Sequence, residues 1–212
     1  MSLNNSSNIL NTDIYAITAE EFSKGRDNIQ VVTEMLESGV EIIQYREKNK
    51  TAKEKLEQCK KIRELTYNAG CKFIVNDDID IAILVDACGV HVGQNDLPIK
   101  EVRKLVGNEK IIGKSTHAPK QAHKAVEDGA DYIGTGPVFQ TDTKEKPPVG
   151  TEYVEYVAKN LDIPFVAIGG IKKHNLNEVK NKGATCFAMV TEIVGAVDIS
   201  QQIKELRSII TS

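Results

Sequence analysis

The sequence predicts an α/β fold, a single-domain (β/α)8 barrel of the TIM type. Three observations predict it. Short apolar runs alternate with longer amphipathic ones along the chain, and such alternation means parallel strands joined by helical crossovers. The runs make eight strand–helix units, the number that closes a barrel, and 212 residues is near the lower end for that fold. No GxGxxG follows the first strand, whereas an open doubly wound sheet would usually have five or six strands and often carries that turn.

The elements follow in order. Residues 14–18 form the first strand. Residues 28–38 form a helix with Val31, Val32, Met35 and Leu36 on one face. Residues 41–44 are the second strand. Residues 51–68 are a helix that Thr51 caps, with Glu54 three residues on as in a capping box, and Gly70 suits its end. Strand 72–75, helix 79–85 and strand 89–93 come next. Helix 98–106 opens on Pro98 and closes near Gly107. Strand 110–115 leads to helix 119–127, which Gly129 ends. Strand 132–136, helix 152–160, strand 164–168, helix 175–182 and strand 185–190 complete the eight. A last helix, 199–210, places Ile199, Ile203, Leu206 and Ile210 at helical spacing.

Composition narrows the function. With 27 Lys+Arg against 30 Asp+Glu the net charge is −3, which gives no general attraction to nucleic acid or an anionic membrane. An anionic ligand must therefore be held by local cations. No apolar run approaches the roughly 20 residues of a membrane span. Residues 1–11 are rich in Ser and Asn without the pattern of a signal peptide. They read as a flexible N-terminal tail, with 12–212 as the catalytic barrel of a cytoplasmic protein. Cys59, Cys71, Cys88 and Cys186 form no CxxC pair and read as small buried apolar groups.

In such a barrel the site lies at the C-terminal ends of the strands. The second strand ends Gln44-Tyr45-Arg46-Glu47-Lys48. Alternation puts Gln44, Arg46 and Lys48 on one face, an oxyanion-binding row. The third ends Asn76-Asp77-Asp78 and the fourth Gly93-Gln94-Asn95-Asp96. Asp78 reads as a helix cap. Asp77 and Asp96 read either as caps or, if both loops point at one bound diphosphate, as ligands of Mg²⁺. The fifth ends Ser115-Thr116-His117, with the role of His117 open before Pro119. The sixth breaks at Gly136-Pro137 and runs into a loop with Thr141, Thr143 and Lys144, hydroxyls and a mobile cation suited to phosphate. The seventh ends in Gly169-Gly170, which reads either as close backbone approach to a ligand or as a tight turn. The eighth ends Met189-Val190-Thr191.

These residues, taken in order, resemble the thiamine-phosphate synthase family from about Tyr15 to Thr191. The resemblance rests on Gln-Tyr-Arg-Glu-Lys at 44–48, Val-Asn-Asp-Asp at 75–78 and Gly-Val-His-Val-Gly-Gln-Asn-Asp-Leu-Pro at 89–98. It continues through Ile-Gly-Lys-Ser-Thr-His at 112–117, Gly-Pro-Val-Phe-Gln-Thr-Asp-Thr-Lys at 136–144 and Ala-Ile-Gly-Gly-Ile at 167–171. It implies a transferase that joins 4-amino-2-methyl-5-hydroxymethylpyrimidine diphosphate to 4-methyl-5-(2-phosphoethyl)thiazole, in its carboxylated or plain form. It implies Gln44, Tyr45, Arg46, Glu47, Lys48, Asn76, Ser115 and Lys144 at the pyrimidine diphosphate, with Arg46, Ser115 and Lys144 catalytic. Asp77 and Asp96 hold one Mg²⁺ shared with that diphosphate. Thr141, Asp142, Thr143, Gly169, Gly170, Val190 and Thr191 hold the thiazole phosphate. The partners it implies are small molecules, with neither nucleic acid nor membrane, for a monomer or small homo-oligomer. Gln140 stands where the family often has proline, Val190-Thr191 where an apolar residue and serine are usual, and no Asp-Pro follows Val197. The rival readings are a thiazole tautomerase-like isomerase, which needs no diphosphate site, and a non-catalytic phosphate-binding barrel.

Overall fold

The computed structural model describes residues 9–141 and 146–212. Its eight parallel strands close in sequence order, with the last pairing to the first. They are β1 (Ile14–Ile17), β2 (Ile42–Tyr45), β3 (Lys72–Asn76), β4 (Gly89–Val92), β5 (Ile111–Thr116), β6 (Tyr132–Thr135), β7 (Phe165–Ile168) and β8 (Phe187–Met189). The intervening helices are α1 (Asn28–Glu37), α2 (Ala52–Asn68), α3 (Ile79–Leu84), α4 (Ile99–Val106), α5 (Pro119–Glu127), α6 (Thr151–Asn160) and α7 (Leu176–Lys180). After β8 the chain makes a four-residue helix, α8 (Thr191–Val194), before α9 (Ile199–Thr211). Thr191 therefore opens a helix instead of trailing a strand, a turn too short to leave a periodic signal in the sequence.

Strand alternation divides the apolar residues into two layers. Ile14, Ala16, Ile43, Phe73, Val90 and Ile112 face outward into the helix layer. Tyr15, Ile17, Ile42, Ile74, Tyr132 and Val166 face the barrel interior. Ile9 is buried and joins the inner cluster, with Leu10 packed beside it, so the packed chain begins by Ile9, ahead of the expected boundary at residue 12. All four cysteines are free; Cys186 lies in the inner layer, and Cys59 and Cys71 in the outer.

Helix starts follow local chemistry. Thr51 and Glu54 make the expected capping box, and Asp27 with Gln30 makes a second at α1, each worth about 0.5–2 kcal/mol. Asp78 stands at the start of α3 but makes no cap bond; its carboxylate pairs instead with Lys55 at 2.8 Å. Asp96 makes no side-chain cap at α4 either. Lys55 and the turn geometry at Gly93 outcompete the helix ends for these carboxylates. Arg26, from the loop after β1, donates to the carbonyls of Val194 and Ala196 at 2.8 and 2.6 Å. That contact ties down the C-terminal end of α8, where a cation is favoured.

Candidate active site

A cavity of about 690 Å³ opens at the C-terminal mouth of the barrel. Gln44 from β2, Arg46 just after it, Asn76 from β3, Ser115 from β5 and Thr141 beyond β6 all line it. A second cavity of about 310 Å³ lies between the ends of β7 and β8, lined by Gly169, Gly170, Val190 and Thr191 among others. The two adjoin: Thr141, Ile168, Gly169, Ala188 and Val190 line both. A cavity mouth formed by several strand ends is where this fold carries chemistry.

Charged side chains stand on loops 2 to 4; of them Arg46 lines the first cavity, and Asp96 lines a separate one with Lys114. The backbone N–H of Arg46 donates to the buried Thr18 hydroxyl at 2.9 Å, which sets where that side chain leaves the strand. Lys48 forms an ion pair with Asp77. Asp77 sits at φ +61°, and its N–H donates to the His91 carbonyl at 2.9 Å. Burial pushes the Asp77 carboxyl up, but Lys48 outweighs it and holds the group below the usual carboxylate range. The Asp96 carboxylate accepts from the Gly93 N–H at 2.6 Å.

Loop 4, which carries Asp96, is braced from behind. Lys114 is buried on the outer face of β5 and donates to the Gly93 carbonyl at 2.7 Å. Burial pushes its pKa down. The Gln94 amide donates to the Ser115 carbonyl at 2.6 Å.

Asp77 and Asp96 are carboxylates on neighbouring loops, the first of them paired with Lys48. They fit a small hard cation that takes a few protein oxygens and shares the rest with phosphate and water. Among the described residues no cluster of three or more His, Cys, Asp or Glu could enclose a metal by itself, so such an ion needs oxygens from a ligand.

Loops 6 and 7 form the other rim, backbone against backbone. After the cis Gly136–Pro137 bond, the N–H groups of Val138 and Phe139 donate to the carbonyls of Ile168 and Gly169, each at 2.9 Å. A Cβ on Gly169 would lie 2.4 Å from Pro137 Cβ, and one on Gly170 would lie 2.4 Å from the Gln140 carbonyl oxygen. Both glycines have positive φ, +100° and +64°. Their smallness thus serves the seam between two loops as well as the turn. His117, whose role the sequence leaves open, bonds through Nδ1 to the Gly136 carbonyl and braces the root of loop 6.

Two residues expected at the substrate face elsewhere. Tyr45 points into the helix layer, where its hydroxyl donates to Gln58 at 2.8 Å. The Glu47 carboxylate accepts from the Glu20 N–H at 3.0 Å and the Asn28 amide at 2.8 Å. Side chains alternate along the strand end, so the neighbours of Gln44 and Arg46 must face the other way. Asp142, Thr143 and Lys144 lie outside the described residues.

Sequence reasoning misses the floor. Gln44 Nε2 donates to the Tyr15 hydroxyl at 2.8 Å, and the Tyr15 and Tyr132 hydroxyls are 2.7 Å apart. Tyr132 lies 3.0 Å from His91 Nδ1, and His91 Nε2 lies 2.9 Å from Ser115 Oγ. A signal for it does exist: Tyr132 stands two residues before Gly134, and His91 two before Gly93, one pleat below the strand ends.

The chain is similar to proteins of one family. A family model described as thiamine monophosphate synthase matches residues 14–193. The chain is 58% identical over 207 residues to a thiamine-phosphate synthase of Pelotomaculum thermopropionicum, covering 97% of this chain and 95% of that one. It is 60% identical over 200 residues to one of Caldicellulosiruptor saccharolyticus, covering 93% and 90%. A solved structure titled thiamine phosphate pyrophosphorylase, from Pyrococcus furiosus, is 36% identical with a TM-score of 0.86, covering 94% of this chain and 95% of that one.

Proposed function

The chain belongs to the thiamine monophosphate synthase family and is a transferase of the thiamine-phosphate diphosphorylase type; from that premise we propose its substrates and the course of its reaction. The substrates are 4-amino-2-methyl-5-hydroxymethylpyrimidine diphosphate and 4-methyl-5-(2-phosphoethyl)thiazole or its carboxylate. The C–O bond between the pyrimidine methylene and diphosphate breaks first, and diphosphate leaves with the electron pair. The thiazole nitrogen then forms a C–N bond to the methylene carbon. The electron-rich aminopyrimidine bears the positive charge in between, so no protein nucleophile is required.

The observation that carries this reading is the pair of adjoining cavities. One is lined by Arg46, Gln44, Asn76 and Ser115, with the Lys48–Asp77 ion pair on the loops that follow β2 and β3, and the other is enclosed by two glycines and the start of a short helix. Loops 7 and 8 with a short extra helix are a frequent phosphate site in this fold. In the first cavity Arg46 and Lys48 neutralise the leaving diphosphate, and Gln44, Asn76 and Ser115 orient the pyrimidine. Lys144 supplies a further cation for the diphosphate. Thr141, Asp142, Thr143, Gly169, Gly170, Val190 and Thr191 hold the thiazole phosphate. Holding both substrates in line and excluding water is the larger part of the catalysis. Mg²⁺, held by Asp77 and Asp96, supplies charge that stabilises the departing diphosphate when bound.

The test is product formation from both substrates with Mg²⁺ and with chelator. Thiamine phosphate and diphosphate are expected in equal amounts, lost on chelation and restored by Mg²⁺. Metal-independent isomerisation of the thiazole carboxylate, or binding of both compounds without turnover, would sink the reading.

A further inference from the structure

The floor of the cavity is a chain of five side chains crossing the barrel: Gln44, Tyr15, Tyr132, His91 and Ser115. Tyr15, Tyr132, Gln44 and His91 are all buried. Room for the chain is built in. A Cβ on Gly113 would lie 2.5 Å from His91 Nδ1 and 2.2 Å from Tyr132 Cζ, and one on Gly134 would lie 3.3 Å from His91 Cε1. Burial pushes both phenols up, so each keeps its single proton at neutral pH.

One proton per phenol gives the chain a direction. The Gln44 Nε2 group can only donate, so the Tyr15 oxygen accepts. The Tyr15 proton then faces the Tyr132 oxygen, and the Tyr132 proton faces His91 Nδ1. A ring nitrogen that accepts carries no proton, so the ring proton of His91 sits on Nε2. That N–H faces Ser115 Oγ, and the serine proton is turned away from His91. The opposite sense would bring two protons face to face between Gln44 and Tyr15, or strand one in the dry interior.

We propose that Tyr15, Tyr132 and His91 are positioning residues, a one-way hydrogen-bond chain that presents Ser115 to the cavity as a hydrogen-bond donor. A serine beside a histidine usually reads as an activated nucleophile. Here the histidine donates, and the serine cannot pass its proton to Nε2. Such a serine suits a ligand with an sp² nitrogen lone pair, and an aminopyrimidine ring carries two. The inference rests on the proposed reaction for the identity of that ligand, and on geometry alone for the direction of the chain.

The direction is read in the intact, ligand-free protein labelled with ¹⁵N-histidine, by two-bond ¹H–¹⁵N correlation. The His91 signals are assigned by their loss in His91→Gln. Nε2 is expected protonated and Nδ1 bare; the reverse tautomer, or an even mixture, would overturn the chain. Tyr132→Phe removes the donor to Nδ1 without changing ring shape. It is expected to lift the tautomer preference and to raise KM for the pyrimidine diphosphate about tenfold. KM for the thiazole phosphate stays within about twofold, since a single local bond is lost. A Tyr132→Phe protein that melts normally and keeps both the parental tautomer and the parental pyrimidine KM overturns the proposal. If the tautomer is as stated but no thiamine phosphate forms, the chain stands and the reaction falls. If thiamine phosphate forms but the tautomer is reversed, the reaction stands and the chain falls.

Discussion

The two ends of the active-site cavity are built by different means. The end proposed for the pyrimidine is made of side chains: Gln44, Arg46, Asn76 and Ser115 line it, over a hydrogen-bonded floor that ends in Gln44 and Ser115. The end proposed for the thiazole phosphate is made largely of main chain. There Phe139 donates to the Gly169 carbonyl, glycines occupy the seam, and α8 begins at Thr191. Side chains can be exchanged one at a time with local effect. Main chain shared by two loops cannot, because moving one loop moves the other.

The largest effect that would test this contrast is at the proposed metal site. Asp77→Asn and Asp96→Asn each remove a charge that Mg²⁺ prefers to a neutral amide. Each is expected to weaken apparent Mg²⁺ affinity about 100-fold, with thiazole-phosphate KM unchanged at saturating metal. Titrating rate against Mg²⁺ measures this, and parental metal dependence in both variants would remove the metal from these loops.

A middle-sized effect is expected at the seam. Gly170→Ala puts a methyl 2.4 Å from the Gln140 carbonyl oxygen, at positive φ, and should cost about 1–3 kcal/mol of stability. Because loop 6 must shift, and Thr141 lines both cavities, KM should rise for both substrates, not only for the thiazole phosphate. An unchanged melting temperature with a defect confined to one substrate would show that the glycine serves the ligand alone.

The smallest effect sharpens the comparison. Thr191→Val keeps the shape and removes one hydroxyl. It should raise thiazole-phosphate KM about fivefold, the scale of one hydrogen bond, and leave the pyrimidine diphosphate and thermal stability as they were. A pyrimidine defect in this variant would contradict the division of the cavity.

The same division explains what is legible in the sequence. The strand-end side chains announce themselves: Arg46 and Lys48 share a pleat, and Asp77 and Asp96 close two successive strands. The eight-unit count depends only on periodicity, and the closed barrel carries it. Backbone features have no such letter code. Gly169-Gly170 reads equally as ligand approach or turn, and only the distances to Pro137 and Gln140 expose the seam. Their place in a motif puts Tyr45 and Glu47 at the substrate, although alternation alone turns them toward Gln58 and Asn28. Tyr15 and Tyr132 stay hidden because a buried tyrosine on a strand reads as ordinary core until its hydroxyl partners are seen.

Three buried free cysteines make the barrel its own clock. Burial pushes the thiols of Cys59 and Cys71 up to about 12, and that of Cys186 higher still. A thiol reagent needs thiolate and access, so these groups react only when the surrounding structure opens. Cys59 and Cys71 report on helices lifting from the sheet, and Cys186 on the parting of the strands themselves. Their relative labelling rates in native buffer therefore time two successive breaches of one fold, from outside inward.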